Sequence, residues 1–580
     1  MRSSLGSLRT AAIGVAVALV AAACQAQNAP PSSEASAAAS VPAATSGAAS
    51  SAPSASAAAQ ASGLPQGGTL SIGWNGEIQW LDPALAYDVT SWPAERLMFE
   101  PLLAYDQGTT LVPLLADGMP TVSADGKTYT FKLHSGVNFV NEDGTVLRPM
   151  TADDVAYSIN RVLNPKLKPN PSPVASGFFG NIVGAADVLS GKATTATGIK
   201  VVDPTTVEFT LEKADETFLN VMATPFASIV PKEAAGEDAT AFSAKPMGTG
   251  PYLFKSYTKG QGATFVKNPS YWQPGLAPLD TIDYRTGQDD IGMLQQIQAG
   301  TLDLMGDPMP PAQFTDITTN PDLANQIVHH TLVNVDYVFM DTQQPNGGPF
   351  SKLEVRQAVN YVIDKEAILQ ITHGAGQPAN CILPPNMPGY DSTCNPYPHN
   401  VDKAKELMSQ AGMAGGFETT FYTDTTDPDP QIGALIQQDL ASIGIKTNIV
   451  SQEFATFLDT IETPHKAPIG WVGWFQDYPD PSDFMEPTLT CATAVQGAAN
   501  AALYCNKAVD DLLAAAHGMA DASARLAAYQ DIQKKIMADA PWAPFRHQEF
   551  VTITSKRVGG FAIDPQWLFN LRGLWIKSGS

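Results

Sequence analysis

The amino-acid sequence changes character near residue 65, and that boundary fixes where a folded body can begin. Residues 25–64 are almost entirely Ala, Ser, Pro, Gln and Gly, with Glu34 as the only charge and no aromatic side chain. Such a segment cannot bury enough apolar surface to offset the entropy of ordering it. Pro31, Pro42, Pro53 and Gly47 also interrupt any poly-Ala helix. The segment therefore reads as a flexible tether, and residues 66–580 carry the fold. A chain of 580 residues is too long for one core and sets an expectation of about three to five domains or lobes. Its 44% hydrophobic content can supply a core to each.

Ahead of the tether, Arg2 and Arg9 are the only charges before the apolar run Ala11 to Ala23. Its 13 residues are too few to cross a hydrocarbon layer about 30 Å thick and match the apolar part of a signal peptide. The run ends Val20-Ala21-Ala22-Ala23-Cys24, which resembles a bacterial lipobox with Ala21 in place of the usual Leu. On that reading residues 1–23 are a signal peptide, Cys24 becomes a lipidated N-terminus, and 24–65 is a leash from the membrane to a body on the periplasmic or extracellular face. An ordinary Ala-x-Ala cleavage with an incidental cysteine is the alternative. Loss of residues 1–23 removes two positive charges, taking the net charge from −23 to −25.

The other four cysteines fall into two local pairs, Cys381 with Cys394 and Cys491 with Cys505. Outside the cytoplasm such pairs are expected to be disulfides, although four cysteines allow three connectivities. Neither pair has the C-x-x-C spacing of a zinc site, and no metal or cofactor is expected. The 57 acidic against 34 basic residues argue against nucleic acid, whose binding depends on Lys and Arg releasing counterions.

Catalytic motifs fail one by one. Gly126-Lys127-Thr128 resembles the end of a phosphate-binding loop, but Thr121 stands where its first glycine is needed. Gly248-Thr249-Gly250 has Leu253 in place of the third glycine of a dinucleotide fingerprint. Neither His-Glu-x-x-His nor Gly-x-Ser-x-Gly occurs, and the adjacent His329 and His330 read as strand-end residues. Paired carboxylates abound among so many acids and single out no glycosidase pair.

Periodicity gives a mixed α/β body. Strands are predicted over 68–74, 127–133, 252–254, 282–285, 335–341, 446–453, 469–474 and 549–553. Helices are predicted over 89–103, 353–369, 401–412, 431–443, 507–518 and 523–540, and one opened by Thr151-Ala152-Asp153-Asp154.

Several of these blocks together resemble the family 5 extracellular solute-binding proteins, the peptide and nickel binding components of ABC importers. In order they are Leu81-Asp82-Pro83; Phe99-Glu100-Pro101-Leu102; Thr128 to Phe139 with Asp143-Gly144 and Thr151 to Ser158; Gly248 to Tyr252; Asn268 to Trp272; Val355 to Lys365; and Gly473 to Pro481. Asn141-Glu142 is a departure, since relatives pass more directly into the turn. The resemblance implies a two-lobed α/β, type II periplasmic-binding-protein fold with an additional domain on the first lobe. Block matching places the first lobe at 66–99, 232–331 and 545–580, the additional domain at 100–231, and the second lobe at 332–544. It also implies permease subunits as partners, a monomer, and no catalytic residue.

The same resemblance nominates site residues. Asp477 stands where peptide-binding relatives hold the ligand α-ammonium, with Tyr478 beside it. Trp474 is an aromatic wall, and Trp471, three residues earlier, faces oppositely on a regular strand, so one of the two belongs to the core. From the first lobe come Tyr87, Val89 and Trp92. Dipeptide-binding relatives often place an arginine for the ligand carboxylate in the segment matching Phe421 to Leu440. Here that segment has no basic residue, and Asp424, Asp427 and Asp429 stand instead. The expected ligand is an oligopeptide, with an oligosaccharide or a cationic solute or metal chelate as alternatives, and a neutral or cationic end facing those acids. A secreted hydrolase or surface receptor on the same tether is the competing class.

Overall fold

The structure, a computed structural model, describes residues 63–106, 108–426, 428–564 and 568–577. The leader, Cys24 and most of the tether lie outside the described residues, as does Asp427.

Three sheets organise the body. In the first, the strand order is Tyr252–Thr258, Gly262–Lys267, Thr281–Arg285, Thr69–Gly73, Leu304–Met305. Thr69–Gly73 runs parallel to both its neighbours and is buried from Leu70 onward, as a strand covered on both faces must be. Leu70, Ile72, Trp74, Tyr252, Phe265 and Tyr284 form its core. A second, antiparallel sheet joins Thr121–Val122, Thr128–Lys132, Thr206–Thr210 and Ile199–Asp203. Here burial alternates, because only one face packs on helix Ala152–Val162 through Val155, Ile159 and Val162. That helix starts where its sequence says it should: the Asp154 carboxylate accepts the Thr151 backbone N–H at 2.9 Å.

The third sheet is the largest. Its order is Ile327–Thr331, Trp542–Ile553, Asn334–Met340, Ile469–Phe475, Phe417–Asp424, Ile445–Gln452, with Gly376–Pro378 also paired to Trp542–Ile553. Every residue of Asn334–Met340 is buried. Val338 and Met340 pack under helices Leu353–Val362 and Asp429–Ser442, while Val335, Tyr337 and Phe339 meet helix Ala522–Asp539 on the other face. Each such aliphatic side chain contributes about 1.5–3 kcal/mol by leaving water. The cysteines pair locally, Cys381 with Cys394 and Cys491 with Cys505.

Three elements differ from the sequence expectation, each for a local reason. The helix expected over 89–103 is Ser91–Met98: Phe99 turns extended, and Pro101 disfavours helix at Glu100. The helix expected over 353–369 is two, Leu353–Val362 and Lys365–Ile371. Ile363 is extended, and the Asp364 side chain accepts the Ala367 N–H at 3.0 Å to start the second helix. The strand expected over 549–553 is the second half of a longer one, Trp542–Ile553, whose pattern is masked by Pro544. Pro544 is tolerated because the register shifts there, between the pairs Asp336↔Arg546 and Tyr337↔Pro544.

That long strand ties sheets together. Its first half pairs with Asn334–Met340, and its second half pairs with Ile327–Thr331, which carries His329 and His330. The second half also receives the Met309 N–H at Val551 O (2.8 Å), and Thr552 Oγ1 donates to Met305 O (2.8 Å) at the end of the first sheet. A separate tie joins the first two sheets. Asp82 of Leu81-Asp82-Pro83 accepts both Arg161 guanidinium nitrogens, Nη1 at 2.7 Å and Nη2 at 2.5 Å, with both side chains buried. Removing one partner leaves a charge stranded in low dielectric. Asp82→Ala is therefore expected to lower unfolding free energy by about 3–5 kcal/mol in denaturant melts, and a loss under 1 kcal/mol would show the pair to be dispensable.

Candidate functional site

Strand Phe417–Asp424 runs parallel to both Ile445–Gln452 and Ile469–Phe475, so three carboxyl ends lie together. In open α/β sheets ligands bind in the crevice outside such ends. The last strand continues into Gln476 and Asp477. Asp477 is only 7% exposed, and the Tyr87 hydroxyl, from the other side, donates to its carboxylate with 2.8 Å to each oxygen. Its backbone N–H donates to Asp483 Oδ2 at 3.0 Å.

The turn that presents Asp477 is rigid for a stated reason. Asp480 is bound by Arg525 Nη1 at 2.5 Å and Nη2 at 2.8 Å, and it also accepts the Ser482 N–H and hydroxyl. Burial pushes Asp483 well above the usual carboxylate range, with adjacent Asp477 adding to the rise. Burial also pushes Asp477 up, to about 7, against the lowering effect of the Tyr87 hydrogen bond. Two buried carboxyls this close do not readily ionise together, so the pair holds a proton more tightly than either acid would alone.

Aromatic rings complete this end. Tyr87 lies 5.6 Å from Trp92 and 5.2 Å from Phe226, and Phe178 meets Tyr478 edge-on at 5.9 Å. The structure therefore brings Asp477, Tyr478 and Tyr87 together. Trp92 is buried, with its indole N–H donated to Ala86 O at 3.0 Å, so it shapes the Tyr87 loop from beneath. Val89 is exposed on the same loop. Trp474 is half-buried on the face of Tyr337 and Trp542. Trp471 is 4% exposed and packs on Phe545 in the core under the helices, so it does not join the group. The opposite facing of the two tryptophans follows the strand period.

The acids at the neighbouring strand end are changed by their surroundings. Burial and the charges of Asp424 and Asp336 push Asp429 up to about 9, with Arg546 opposing. Asp429 is therefore uncharged at neutral pH. Arg546 donates Nε–H to Asp336 Oδ2 at 2.6 Å, both groups buried. Sequence reasoning looked for a base within 421–440 and missed Arg546, which arrives from the distant strand Trp542–Ile553. Phe178, Phe226 and Asp483 were also missed; of these only Asp483 lay close to a recognised block, two residues past Pro481.

Residues 110–496 match the family described as Bacterial extracellular solute-binding proteins, family 5 Middle. The chain is 32% identical to heme-binding protein A of Haemophilus influenzae over 83% of this chain and 88% of that one. It is 31% identical to di/tripeptide-binding protein 4 of Pseudomonas aeruginosa, over 82% and 89% respectively. Among solved structures it resembles the Helicobacter pylori periplasmic binding protein DppA in complex with the peptide STSA, with a TM-score of 0.76, 26% identity and coverage of 90% and 100%. A dipeptide binding protein from Pseudoalteromonas in complex with Met-Leu superposes with a TM-score of 0.74, 27% identity and coverage of 88% and 100%. The chain belongs to the family 5 extracellular solute-binding proteins and has their two-lobed α/β fold.

The raised pKa of Asp477 makes a stability prediction. A carboxyl whose folded pKa lies above its unfolded value loses stability as pH rises between the two, here from about 4 to about 7. Asp477→Asn removes that loss while keeping an acceptor for Tyr87. In denaturant melts without ligand it is expected to match the native protein near pH 4 and to exceed it by about 2–4 kcal/mol at pH 8. Equal stability at both pH values would refute the assignment.

Proposed function

We propose that this chain is the solute-capturing lipoprotein of an ABC importer, and that it takes oligopeptides by their free amino end. The observation that supports this most is Asp477. It is an enclosed carboxylate between two lobes, and among the described residues its side chain meets a neutral tyrosine hydroxyl and no Lys, Arg or His. An ammonium is the partner that such a group lacks, since a buried carboxylate is stabilised by an opposite charge at hydrogen-bond distance. The rings of Tyr87, Phe178 and Tyr478, backed by buried Phe226, suit the first side chain of a peptide. The relatives named for di- and tripeptides and the peptide-bound structural neighbours support the same class.

On this reading the lobes follow the boundaries expected from the sequence, with segments 66–99, 232–331 and 545–580 rotating against 332–544 and residues 100–231 riding on the first. Rotation takes place at the paired strands Ile327–Thr331 and Trp542–Ile553, which are where the chain passes between them. The closed, loaded form is what the permease recognises. Cys24 carries the lipid, and residues 24–65 join it to the body. Mass spectrometry of the mature N-terminus is expected to show Cys24 with acyl mass, and an unmodified N-terminus would refute the anchor.

Calorimetry with a panel of di- to pentapeptides tests the ligand class. Binding is expected to be lost by roughly 100-fold or more on N-acetylation of the peptide or in Asp477→Ala, because either leaves a buried charge unpaired. Equal affinity for free and acetylated peptides would overturn the assignment.

A further inference from the structure

A second contact between the lobes is built from charge and lies apart from the amine site. His517 is the last residue of helix Lys507–His517 on the second lobe. Its Nε2 lies 2.7 Å from Asp215 Oδ1, and its Nδ1 lies 2.9 Å from Glu486 Oε1. Neutral imidazole has one N–H, whereas ionised carboxylates only accept. Satisfying both contacts therefore requires the doubly protonated, cationic ring. The helix carboxyl end, where His517 sits, favours the same charge.

The two acids come from different parts of the molecule. Asp215 follows strand Thr206–Thr210 on the antiparallel sheet, and Glu486 caps helix Ser482–Met485 beside the Asp477 turn. Each is held without help from His517. Asp215 Oδ1 accepts the Thr217 N–H at 2.9 Å and its hydroxyl at 2.7 Å, and Oδ2 accepts Asn181 Nδ2 at 3.3 Å. The Tyr529 hydroxyl donates to Glu486 Oε1 at 3.3 Å. Among the described residues the other ionisable neighbours are Glu216 and Tyr129 beside Asp215, and Arg525, Asp480 and Tyr478 beside Glu486.

We propose that His517 is a proton-dependent latch between the lobes, clasping Asp215 on closure, so that closing takes up a proton at this imidazole. Burial by itself lowers the imidazole pKa, but the hydrogen bonds to Asp215 and Glu486 outweigh it and hold the ring up to about 10. Burial likewise works against Asp215, which His517 nevertheless holds down to about 2. When the lobes part, Asp215 leaves and the ring moves back toward its ordinary value of about 6.5. A group whose pKa is higher in the closed form favours closure below its open-form value, and the advantage disappears as pH rises toward about 10. The Tyr87 to Asp477 contact titrates lower, near 7, so the window from pH 7.5 to 9.5 isolates the latch.

The test is small-angle X-ray scattering of the full, ligand-stripped chain at pH 6, 7.5, 8.5 and 9.5, with circular dichroism to confirm folding. The native protein is expected to be compact at pH 6 and to expand across the upper window, its open-to-closed ratio rising by up to about tenfold per unit. His517→Gln and Asp215→Asn are expected to be more expanded at pH 6 and flat from 7.5 to 9.5. The two substitutions sit on opposite lobes, so a folding defect in one leaves the other to decide. A native radius of gyration that does not change with pH, or a folded variant as compact as the native protein at pH 6, or one that retains the native pH response, would each overturn the latch. No peptide is used, so failure of the ligand assignment and failure of the latch are separate results.

Discussion

The enclosure of one carboxylate organises this molecule. Moving an ion such as Asp477 out of water costs several kcal/mol, and a fold tolerates it only when the surroundings are fixed. The segment from Asp477 to Asp483 holds three acids within reach of one another and gives each a different fate. Asp480 is paired to Arg525, burial and the neighbouring Asp477 push Asp483 well above the usual carboxylate range, and Asp477 is left with a phenol as its partner. The first arrangement stiffens the turn and the second avoids a repulsive neighbour. On the proposed reading, it is the third that an incoming ammonium completes.

On the proposed reading the scaffold makes that enclosure reversible. The long strand Trp542–Ile553 belongs by its first half to the second lobe, and by its second half it is bonded to Met305 and Met309 near the first-lobe sheet. From Glu549 to Ile553 it pairs with Ile327–Thr331, and that ladder of hydrogen bonds resists translation along the strands. On that reading a modest rotation at this crossing carries the Tyr87 loop toward or away from Asp477. Rigid bodies on either side keep the rest unchanged.

What was legible in the sequence follows from how far apart the interacting residues lie. Local devices could be read directly: the Thr151 to Asp154 cap, the alternation in Thr128–Lys132, the paired cysteines, and the opposite facing of Trp471 and Trp474. The ordered blocks gave the family because they are structural joints. Asp82 is spent on Arg161, and Glu100 accepts from Thr249 Oγ1 and the Tyr271 hydroxyl, each at 2.8 Å, so one block binds another. Contacts between lobes were not legible. Tyr87 and Asp477 are 390 positions apart and Asp215 and His517 are 302 apart, with no periodicity to connect them. Protonation was hidden for a further reason, since an aspartate such as Asp429 becomes neutral only through burial that a sequence does not display.

That last point alters how the chain's acidity bears on its ligand. A net charge of −23 invited the expectation of a neutral or cationic ligand end near Asp424 and Asp429. Yet Asp429 is held uncharged, Asp336 is neutralised by Arg546, and Gln548 donates to the same Asp336 carboxylate at 2.9 Å. With Asp429 uncharged and Asp336 paired, the negative charge at that end is smaller than the sequence suggests and rests on Asp424. On the proposed reading, selection by charge is made at Asp477, while the neighbouring strand end contributes a weaker field than composition implies. Surface acidity and site electrostatics are therefore separate properties of this protein.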